Sequence, residues 1–188
     1  MIKSYLQRKA LRLQNYDYAQ NGAYFITLCT HNRECLFGEV VDDKLVLNDA
    51  GRMVEQSLYE SQKMRPDVIL DAFIIMPNHI HVIFFLIDTP IVGDALRGVP
   101  FQGLDGLAQR PAPTTKTSIP NLMYSFKSFT TNQYIHGVRN NQWQPFHGKL
   151  WQRGYYDRII RNEEALLEIQ QYIFNNPAQW ASDENNIL

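Results

Sequence analysis

Two histidines separated by one residue are the first group in this sequence that could carry out chemistry. His79 and His81 lie in an apolar segment, VILDAFIIMPNHIHVIFFL, that runs from Val68 to Leu86. Residues two apart share one face of a β-strand, so both imidazoles would point the same way. Burying two imidazoles among apolar residues is costly unless their nitrogens have partners, and a divalent metal ion would be such a partner. The spacing alone leaves a second interpretation open, in which both histidines are bonded to the backbone.

A tyrosine and an asparagine near the C-terminus form the second group. The last predicted helix begins at Asn162 and ends before Pro177. If it docks against the two histidines, the side-chain oxygen of Asn176 could be a third metal ligand, with the Tyr172 hydroxyl one turn away. The alternative is that Tyr172 only packs and Asn176 caps the helix. One face of this helix carries, at intervals of four, three and four residues, Ala165, Ile169, Tyr172 and Asn176.

The middle of the chain is basic and rich in aromatic residues. From Arg110 to Arg161 the only acid is Asp157, although the net charge of the whole chain is −1. Cations for phosphates and flat rings for unstacked bases are what a protein needs to bind a nucleic-acid single strand. A solvated loop with ordinary core aromatics would give the same composition. The residues singled out as candidate DNA contacts are Lys127, Arg153, Tyr155, Tyr156 and Arg158.

The bulk properties of the sequence exclude several classes of protein. A net charge of −1 argues against a protein that coats long duplex DNA. The longest apolar run, Val82 to Ile87, is far shorter than the roughly 20 residues that cross a bilayer. The N-terminus lacks the apolar stretch of a signal peptide. Cys29 and Cys35 form no C-x-x-C pair, so a reducing cytoplasm is expected rather than a disulfide framework.

Strands with interspersed helices, mostly joined by hairpins, predict an α+β fold with helices on one face of a sheet. Asn48 is the expected cap of the first helix, and Pro77-Asn78 interrupts the most apolar segment with either a hairpin turn or a bulge. The predicted strands are Ala23–Thr30, the region of Leu36–Val41, Val68–Leu86 and Leu150–Ile160, and the predicted helices are Asp49–Lys63, Ile119–Gln133 and the helix that follows Asn162.

A single domain over residues 1–188 is expected, interrupted by an irregular insertion at about 88–120 that is rich in glycine and proline. Long loops of this kind inside a compact domain are usually functional or disordered. Substrate recognition is therefore expected from the insertion and from the basic N-terminal arm, which contains Lys3, Arg8, Lys9 and Arg12.

Several separated motifs, in order, resemble one known family. These are AYFIT at Ala23, MPNHIHVIF, SFKSFTT and finally LWQRGYYDRIIRNEEALLEIQQYIFNNPAQW. Together they resemble the REP-associated tyrosine transposases, relatives of the single-tyrosine HUH transposases of IS200-like insertion sequences. The resemblance implies a ferredoxin-like antiparallel sheet with helices packed on it, the HUH endonuclease fold.

The resemblance also implies roles for the candidate residues. His79 and His81 would be the HUH metal ligands, Tyr172 the nucleophile and Asn176 the third ligand. Some relatives have glutamine in that position, and the shorter asparagine implies a looser metal bond or one through water. The metal would be Mg²⁺ or Mn²⁺, and imidazole ligands favour Mn²⁺ slightly. Tyr155 and Tyr156 compete for the nucleophile role, but a phosphate contact or base stack suits their strand-like segment better.

The activity implied is cleavage and rejoining of single-stranded DNA at the hairpins of repetitive palindromic elements, through a covalent 5′-phosphotyrosine. A monomer in the cytoplasm, associated with the nucleoid and not with a membrane, is expected. Two alternatives stay open: a domesticated hairpin-binding protein without turnover, and a metal-dependent phosphoesterase that activates water. The second usually recruits an acid to the metal, and Asp71 is the only acid near the histidines in sequence.

Overall fold

The computed structural model describes residues 16–88, 116–183 and 185–186. Nearly all of the predicted insertion and the whole of the basic N-terminal arm lie outside these residues. Within them, no helix is both long enough and apolar enough to span a bilayer. The helices and strands are β1 (Gly22–Cys29), β2 (Gly38–Val41), β3 (Lys44–Leu47), α1 (Asp49–Lys63), β4 (Val68–Met76), β5 (His79–Leu86), α2 (Ile119–Asn140), β6 (Tyr156–Ile160) and α3 (Glu163–Asn175), with short 3₁₀ helices at His31–Arg33 and Pro177–Ser182.

The main sheet has the strand order β4-β5-β1-β6 and its pairs are all antiparallel. Helix α1 precedes β4 and helix α2 connects β5 to β6, so each crosses one face of the sheet. This is the ferredoxin-like arrangement, with β2 and β3 added as a separate two-stranded ribbon. The predicted α+β class with an antiparallel sheet is confirmed.

The two faces of the sheet have different covers. Alternate residues of β1 and β5, such as Tyr24, Ile26 and Val82, pack in one apolar cluster with α1 and α2. The intervening residues, such as Phe25 and Ile83, pack with α3 in a second cluster. The prediction that the helices share one face is therefore wrong for α3. The central strands are apolar on both parities, which permits a helix on either side.

A tight hairpin turn at Pro77-Asn78 joins β4 to β5, and Met76 pairs with His79. The Pro77 carbonyl accepts hydrogen bonds from the amides of Leu36 and Phe37 at 2.8 and 3.0 Å. Proline lacks an amide hydrogen but keeps its carbonyl, so it fits a turn whose oxygen is bound from outside. Of the two predicted alternatives at this point, the hairpin turn is the correct one; a register shift does occur, but earlier in β4, between Leu70 and Phe73.

The segment before β6 is less regular than the sequence predicted. Only Tyr156–Ile160 forms a strand, and Trp151 makes an isolated bridge to Thr30 beyond the end of β1. The indole Nε1 of Trp151 donates to Thr130 Oγ1 at 2.9 Å, which ties this segment to α2. Helix α2 itself continues about two turns further than predicted, to Asn140.

Helix α1 begins at the predicted cap, because Asn48 accepts a hydrogen bond from the Gly51 amide at 2.9 Å. Its first turn lies against the segment at Phe37 that binds the Pro77 carbonyl. A Cβ on Gly51 would lie 2.1 Å from the Phe37 carbonyl oxygen, which is backbone and cannot rotate away. Glycine is therefore required here by the close approach of two backbones.

We expect Gly51→Ala to lower the free energy of unfolding by about 1–3 kcal/mol, the usual cost of overpacking. Helix propensity alone predicts the opposite sign, since alanine is favoured over glycine by up to about 1 kcal/mol in a helix. Urea unfolding would measure the difference. Gln56→Ala, on the exposed side of the same helix, is the control and should change stability by less than about 0.5 kcal/mol. A stabilised Gly51→Ala variant would show that α1 does not lie this close to Phe37.

Candidate metal and nucleophile site

The two histidines lie side by side in the middle of the sheet. In the β1–β5 register His79 is opposite Cys29 and His81 is opposite Thr27, on the face covered by α3. Both imidazoles are buried, at 0% and 2% exposure. Their Nε2 atoms face each other at 3.1 Å. The predicted common orientation is therefore present, and both inner nitrogens converge on one point.

The outer nitrogen of His79 is fixed by Asn78. His79 Nδ1 lies 2.9 Å from Asn78 Oδ1. The Asn78 amide nitrogen donates to the carbonyls of Arg33 and Asn185, at 3.1 and 2.8 Å, and this fixes which end of the amide faces the ring. Because Oδ1 can only accept, His79 carries its proton on Nδ1. The Nε2 lone pair of His79 is thus available to a ligand.

The outer nitrogen of His81 also has a partner. Thr27 Oγ1 lies 2.8 Å from His81 Nδ1. The threonine hydroxyl can accept a hydrogen bond from a protonated Nδ1, which leaves the Nε2 lone pair for a metal ion. The Phe25 ring stacks on the imidazole with a centroid distance of 5.3 Å and holds its plane. Both histidines therefore have the outer-shell support that metal-bound imidazoles usually have.

Helix α3 brings Tyr172 to the histidines. The Tyr172 hydroxyl lies 3.2 Å from His81 Nε2, and the ring meets those of His81 and Phe25 edge-on. Tyr172 is 39% exposed, so one side of it remains open to solvent. Ile169 and Ile173, on the same helix, are buried against the sheet and fix the rotation of the helix about its axis.

Asn176 follows one turn after Tyr172 and is completely buried. Its amide nitrogen donates to Asp183 Oδ2 at 3.3 Å, whereas its Oδ1 has no hydrogen-bond partner among the described residues. A buried carbonyl oxygen without a partner is costly and is rare in proteins. Such an atom, on a residue whose amide nitrogen binds the Asp183 carboxylate, is the kind of group that a metal ion or a water molecule would satisfy.

Asp183 enters the site from a short 3₁₀ helix, Pro177–Ser182, that turns the chain back after α3. The turn packs Trp180 against His79 with a centroid distance of 6.0 Å. Asp183 Oδ1 accepts the Asn185 amide at 2.6 Å, which orients the carboxylate. One ligand atom each from His79, His81 and Asp183 lies within 4.8 Å of the others.

These residues fit a divalent metal ion. Two nitrogens bound at about 2.1 Å and at right angles to each other would lie about 3 Å apart, close to the 3.1 Å between the Nε2 atoms. Two imidazoles and a carboxylate form a mixed nitrogen and oxygen donor set of the kind that binds divalent metal ions. A His-His-Asp group able to hold a metal ion is therefore present.

Burial keeps both imidazoles neutral. It lowers the pKa of His79 to about 4, with a smaller contribution in the same direction from Arg33 and an opposing one from Asp183. It lowers the pKa of His81 well below the ordinary value, and the neighbouring His79 adds to this. Neutral imidazole is the form that binds metal ions, so protons do not compete for these nitrogens near neutral pH.

A cleft of about 810 Å³ opens beside Tyr172 and His81. Strand β6 contributes two of the predicted contact residues, because Tyr156 pairs with Thr27 and Arg158 pairs with Phe25 on the same face. With Arg33 and Arg153, the lining of the cleft contains three guanidinium groups. Its single acid is Glu168, on α3. The cleft therefore combines a candidate nucleophile with cations that suit a phosphate.

Two of the predicted contact residues are placed differently. Lys127 does not line this cleft; its ammonium donates to the carbonyls of Gln152 and Arg153, at 2.5 and 3.1 Å. It therefore supports the backbone that carries Arg153 and does not approach Tyr172. Tyr155 lines the cleft but is 9% exposed, which limits it to a narrow contact.

Three residues of the site were not assigned from the sequence. Asn78 and Thr27 hold the outer nitrogens of the histidines, and Asp183 joins the candidate ligands. Asn78 stands next to His79 in sequence and could have been suspected, whereas Thr27 depends on strand register. Asp183 depends on a turn after Pro177 that no periodicity reveals. Asp71, the acid to which the sequence pointed, accepts a hydrogen bond from Gln170 on the surface at 2.7 Å.

Comparison with known proteins supports the fold and the family. No family model matches the chain. An uncharacterized protein of Haemophilus influenzae is 37% identical over 177 residues, which cover 94% of this chain and 92% of the relative. A solved REP-associated tyrosine transposase bound to a REP hairpin matches with a TM-score of 0.53 at 17% identity, covering 89% of this chain and 73% of the other. The predicted resemblance is confirmed at the level of the fold.

Lowering the pH from about 7 to about 5 with a metal chelator present should reduce the free energy of unfolding. In an unfolded chain an imidazole has a pKa near 6.5, whereas folding lowers the pKa of His79 to about 4. The unfolded chain therefore binds more protons in this window, so stability is present above about pH 6.5 and is lost as the pH falls. Each histidine can contribute up to about 1.4 kcal/mol per pH unit.

Urea unfolding at several pH values measures this slope. His81→Gln removes one of the two titrating groups and should make the slope shallower. The control is His136→Gln, which replaces an exposed histidine on α2 and should leave the slope unchanged. An equal slope in the wild type and in His81→Gln would mean that His81 is not held neutral by the fold.

Proposed function

The chain belongs to the same family as the Haemophilus influenzae protein and has the fold of a REP-associated tyrosine transposase, and from this premise we propose that it is a metal-dependent tyrosine transposase that cuts and rejoins single-stranded DNA. The observation that carries the proposal is the position of the Tyr172 hydroxyl, which lies 3.2 Å from His81 Nε2 and is open to the cleft. The Nε2 of the second imidazole, His79, lies 3.1 Å from the same His81 nitrogen. The arrangement is formed only where β5, which carries the histidines, meets α3, which carries Tyr172.

His79 and His81 would hold the metal, with Asp183 or Asn176 as the third protein ligand. The ion, Mg²⁺ or Mn²⁺, would supply Lewis-acid activation of the scissile phosphodiester. Asn78 and Thr27 keep the imidazoles in the required tautomer and orientation through their bonds to Nδ1. Phe25 and Trp180 exclude water from the two sides of the histidine pair.

Tyr172 would be the nucleophile. Its phenolic oxygen attacks the phosphorus, the bond from phosphorus to the 3′ oxygen breaks, and a 3′-hydroxyl and a 5′-phosphotyrosine result. The phenolic proton is released and the departing 3′ oxygen gains one, so charge is conserved. The ester keeps the energy of the phosphodiester, and attack by a 3′-hydroxyl on the phosphotyrosine reverses the step and rejoins the strand.

The cations and rings of the cleft would hold the substrate. Arg153 and Arg158 line it and are exposed, so they can approach phosphate oxygens. Tyr156 is 53% exposed on the same wall and offers a face for an unstacked base. By analogy with the solved transposase, whose structure contains a REP hairpin, the substrate would be a DNA hairpin with single-stranded flanks. Recognition of the hairpin is proposed for the insertion and the N-terminal arm, of which nearly all residues lie outside the described part of the chain.

A water-activating phosphoesterase is the second candidate, and one observation favours it. Asp183 supplies the acid that such metal sites usually recruit, which the sequence alone had not indicated. In that mechanism a water molecule replaces Tyr172 as the nucleophile, so no covalent adduct forms.

We expect Tyr172→Phe to abolish a covalent protein–DNA adduct, a loss of at least about 100-fold, because the phenyl ring keeps the packing but has no oxygen. The measurement is a denaturing gel of protein, Mn²⁺ and labelled hairpin oligonucleotides from repeats that flank its own gene. Tyr156→Phe, which changes another exposed tyrosine of the same cleft, is the matched control and should still form the adduct. Cleavage that survives in Tyr172→Phe would support the phosphoesterase, and tight binding without any product would support a binding protein without turnover.

We also expect Mn²⁺ to raise the unfolding temperature, because the ion binds the folded site and not the unfolded chain. Removing one imidazole with His81→Ala should abolish the shift, whereas His136→Ala should retain it. Asn176→Ala and Asp183→Asn identify the third ligand: the larger loss of Mn²⁺ affinity marks the residue that binds the ion. If Mn²⁺ has the same effect on wild type and on His81→Ala, the histidines are not its ligands.

A further inference from the structure

A second cleft, of about 620 Å³, runs along α2 next to the site just described. One of its walls is a single face of α2, and the other is the segment 146–155 that precedes β6. The α2 wall includes, at helical spacing, Tyr124, Lys127, Ser128, Thr131 and Ile135. The opposite wall includes Phe146, Lys149, Trp151 and Arg153.

An exposed aromatic ring stands at this cleft. Tyr124 is 77% exposed, although it lies in a helix whose neighbouring residues, Leu122, Met123 and Phe126, are buried. A tyrosine in this position contributes little to the core. Its ring offers a flat face at the mouth of the cleft, and base-on-ring stacking is a main source of affinity in single-strand binding.

The cleft is positively charged and its lining residues include no acid. The cations are Lys127, Lys149 and Arg153, and no salt bridge joins Lys149 or Arg153 to an acid within the described part of the chain. Burial, and then the nearby Lys149, lower the pKa of Lys127, which places the two ammonium groups close enough to repel. Like charges gathered without a counter-ion favour the binding of a polyanion.

The cleft along α2 and the candidate active-site cleft are continuous. Gln152, Arg153 and Tyr155 line both of them. The ridge that they form is fixed from both sides, since Lys127 binds the carbonyls of Gln152 and Arg153 and the Gln152 amide donates to the Cys29 carbonyl at 3.0 Å. A strand that crosses Arg153 would have a phosphate contact at the crossing and a stacking ring beyond it.

The geometry points to a subsite for unpaired nucleotides along α2, which holds the single-stranded flank of the same DNA that Tyr172 attacks, with a base on Tyr124 and a phosphate at Lys149. This inference rests on the proposed function. It adds a binding site on the face of the sheet that carries α1 and α2, away from the histidines. A single strand fits better than a duplex, because the exposed ring at the mouth of the cleft can stack only on a base that is not already paired and stacked.

The test compares hairpin oligonucleotides that carry single-stranded flanks of increasing length with the same hairpin without flanks. Fluorescence anisotropy with the full-length protein measures the Kd of each. We expect Tyr124→Ala to weaken binding of the flanked hairpin at least about fivefold and to leave the unflanked hairpin unchanged. Tyr124→Phe keeps a ring and should restore the affinity. Tyr59→Ala, which removes a tyrosine of α1 that is 46% exposed, is the matched control and should have no effect.

The Lys149→Gln variant tests the same subsite independently of Tyr124. It should weaken binding of the flanked hairpin and reduce the dependence of its Kd on salt concentration. The inference is overturned if Tyr124→Ala and Lys149→Gln bind the flanked hairpin like wild type, or if wild type does not distinguish flanked from unflanked hairpins. Failure of the proposed function would look different, because wild type would then form no covalent adduct while the effect of the flank on Kd persisted.

Discussion

The antiparallel pairing of β1 with β5 is the interaction on which the rest of the site depends. It places His79 opposite Cys29 and His81 opposite Thr27, and β6 then adds Tyr156 opposite Thr27. A slip of one residue would turn both imidazoles into the cluster beneath α1 and α2 and expose Ile80 and Val82 to α3. Such a slip is costly because both faces of these strands are packed. The chemistry is therefore positioned by a register that hydrophobic burial enforces.

The C-terminal part of the chain completes the site through polar contacts, not through apolar packing alone. Asn78 in the β4–β5 turn donates to the Asn185 carbonyl, and the Asn185 amide donates to Asp183. Asp183 in turn accepts from Asn176 at the end of α3. This chain of hydrogen bonds links the turn before the histidines with the helix that carries Tyr172. Because its members are buried or half-buried, losing one leaves the others without partners, which makes the geometry specific.

A feature of the fold or the site could be predicted from the sequence where local periodicity alone determines it. The common face of His79 and His81 follows from the two-residue period of a strand, and the spacing of Tyr172 and Asn176 follows from helical geometry. Periodicity does not say which face of a sheet receives a helix, so α3 was expected beside the other two helices. Asp183 was missed for a related reason, since it reaches the histidines only through a turn that tertiary packing creates. Lys127 is predicted as a DNA contact, and that stays a prediction; its hydrogen bonds to the backbone carbonyls of Gln152 and Arg153 are a feature that no sequence pattern shows.

The choice between the two candidate mechanisms depends on which side of the histidine pair each group occupies. Tyr172 and His81 line the 810 Å³ cleft, together with Arg153 and Arg158, whereas Asp183 is absent from its walls. A phosphate that enters along the cationic wall would therefore meet the Tyr172 hydroxyl and not the Asp183 carboxylate. A water nucleophile on this side of the histidine pair would compete with the Tyr172 hydroxyl, which lies 3.2 Å from His81 Nε2. The arrangement thus favours attack by tyrosine, with the carboxylate as a ligand or as an anchor for Asn176.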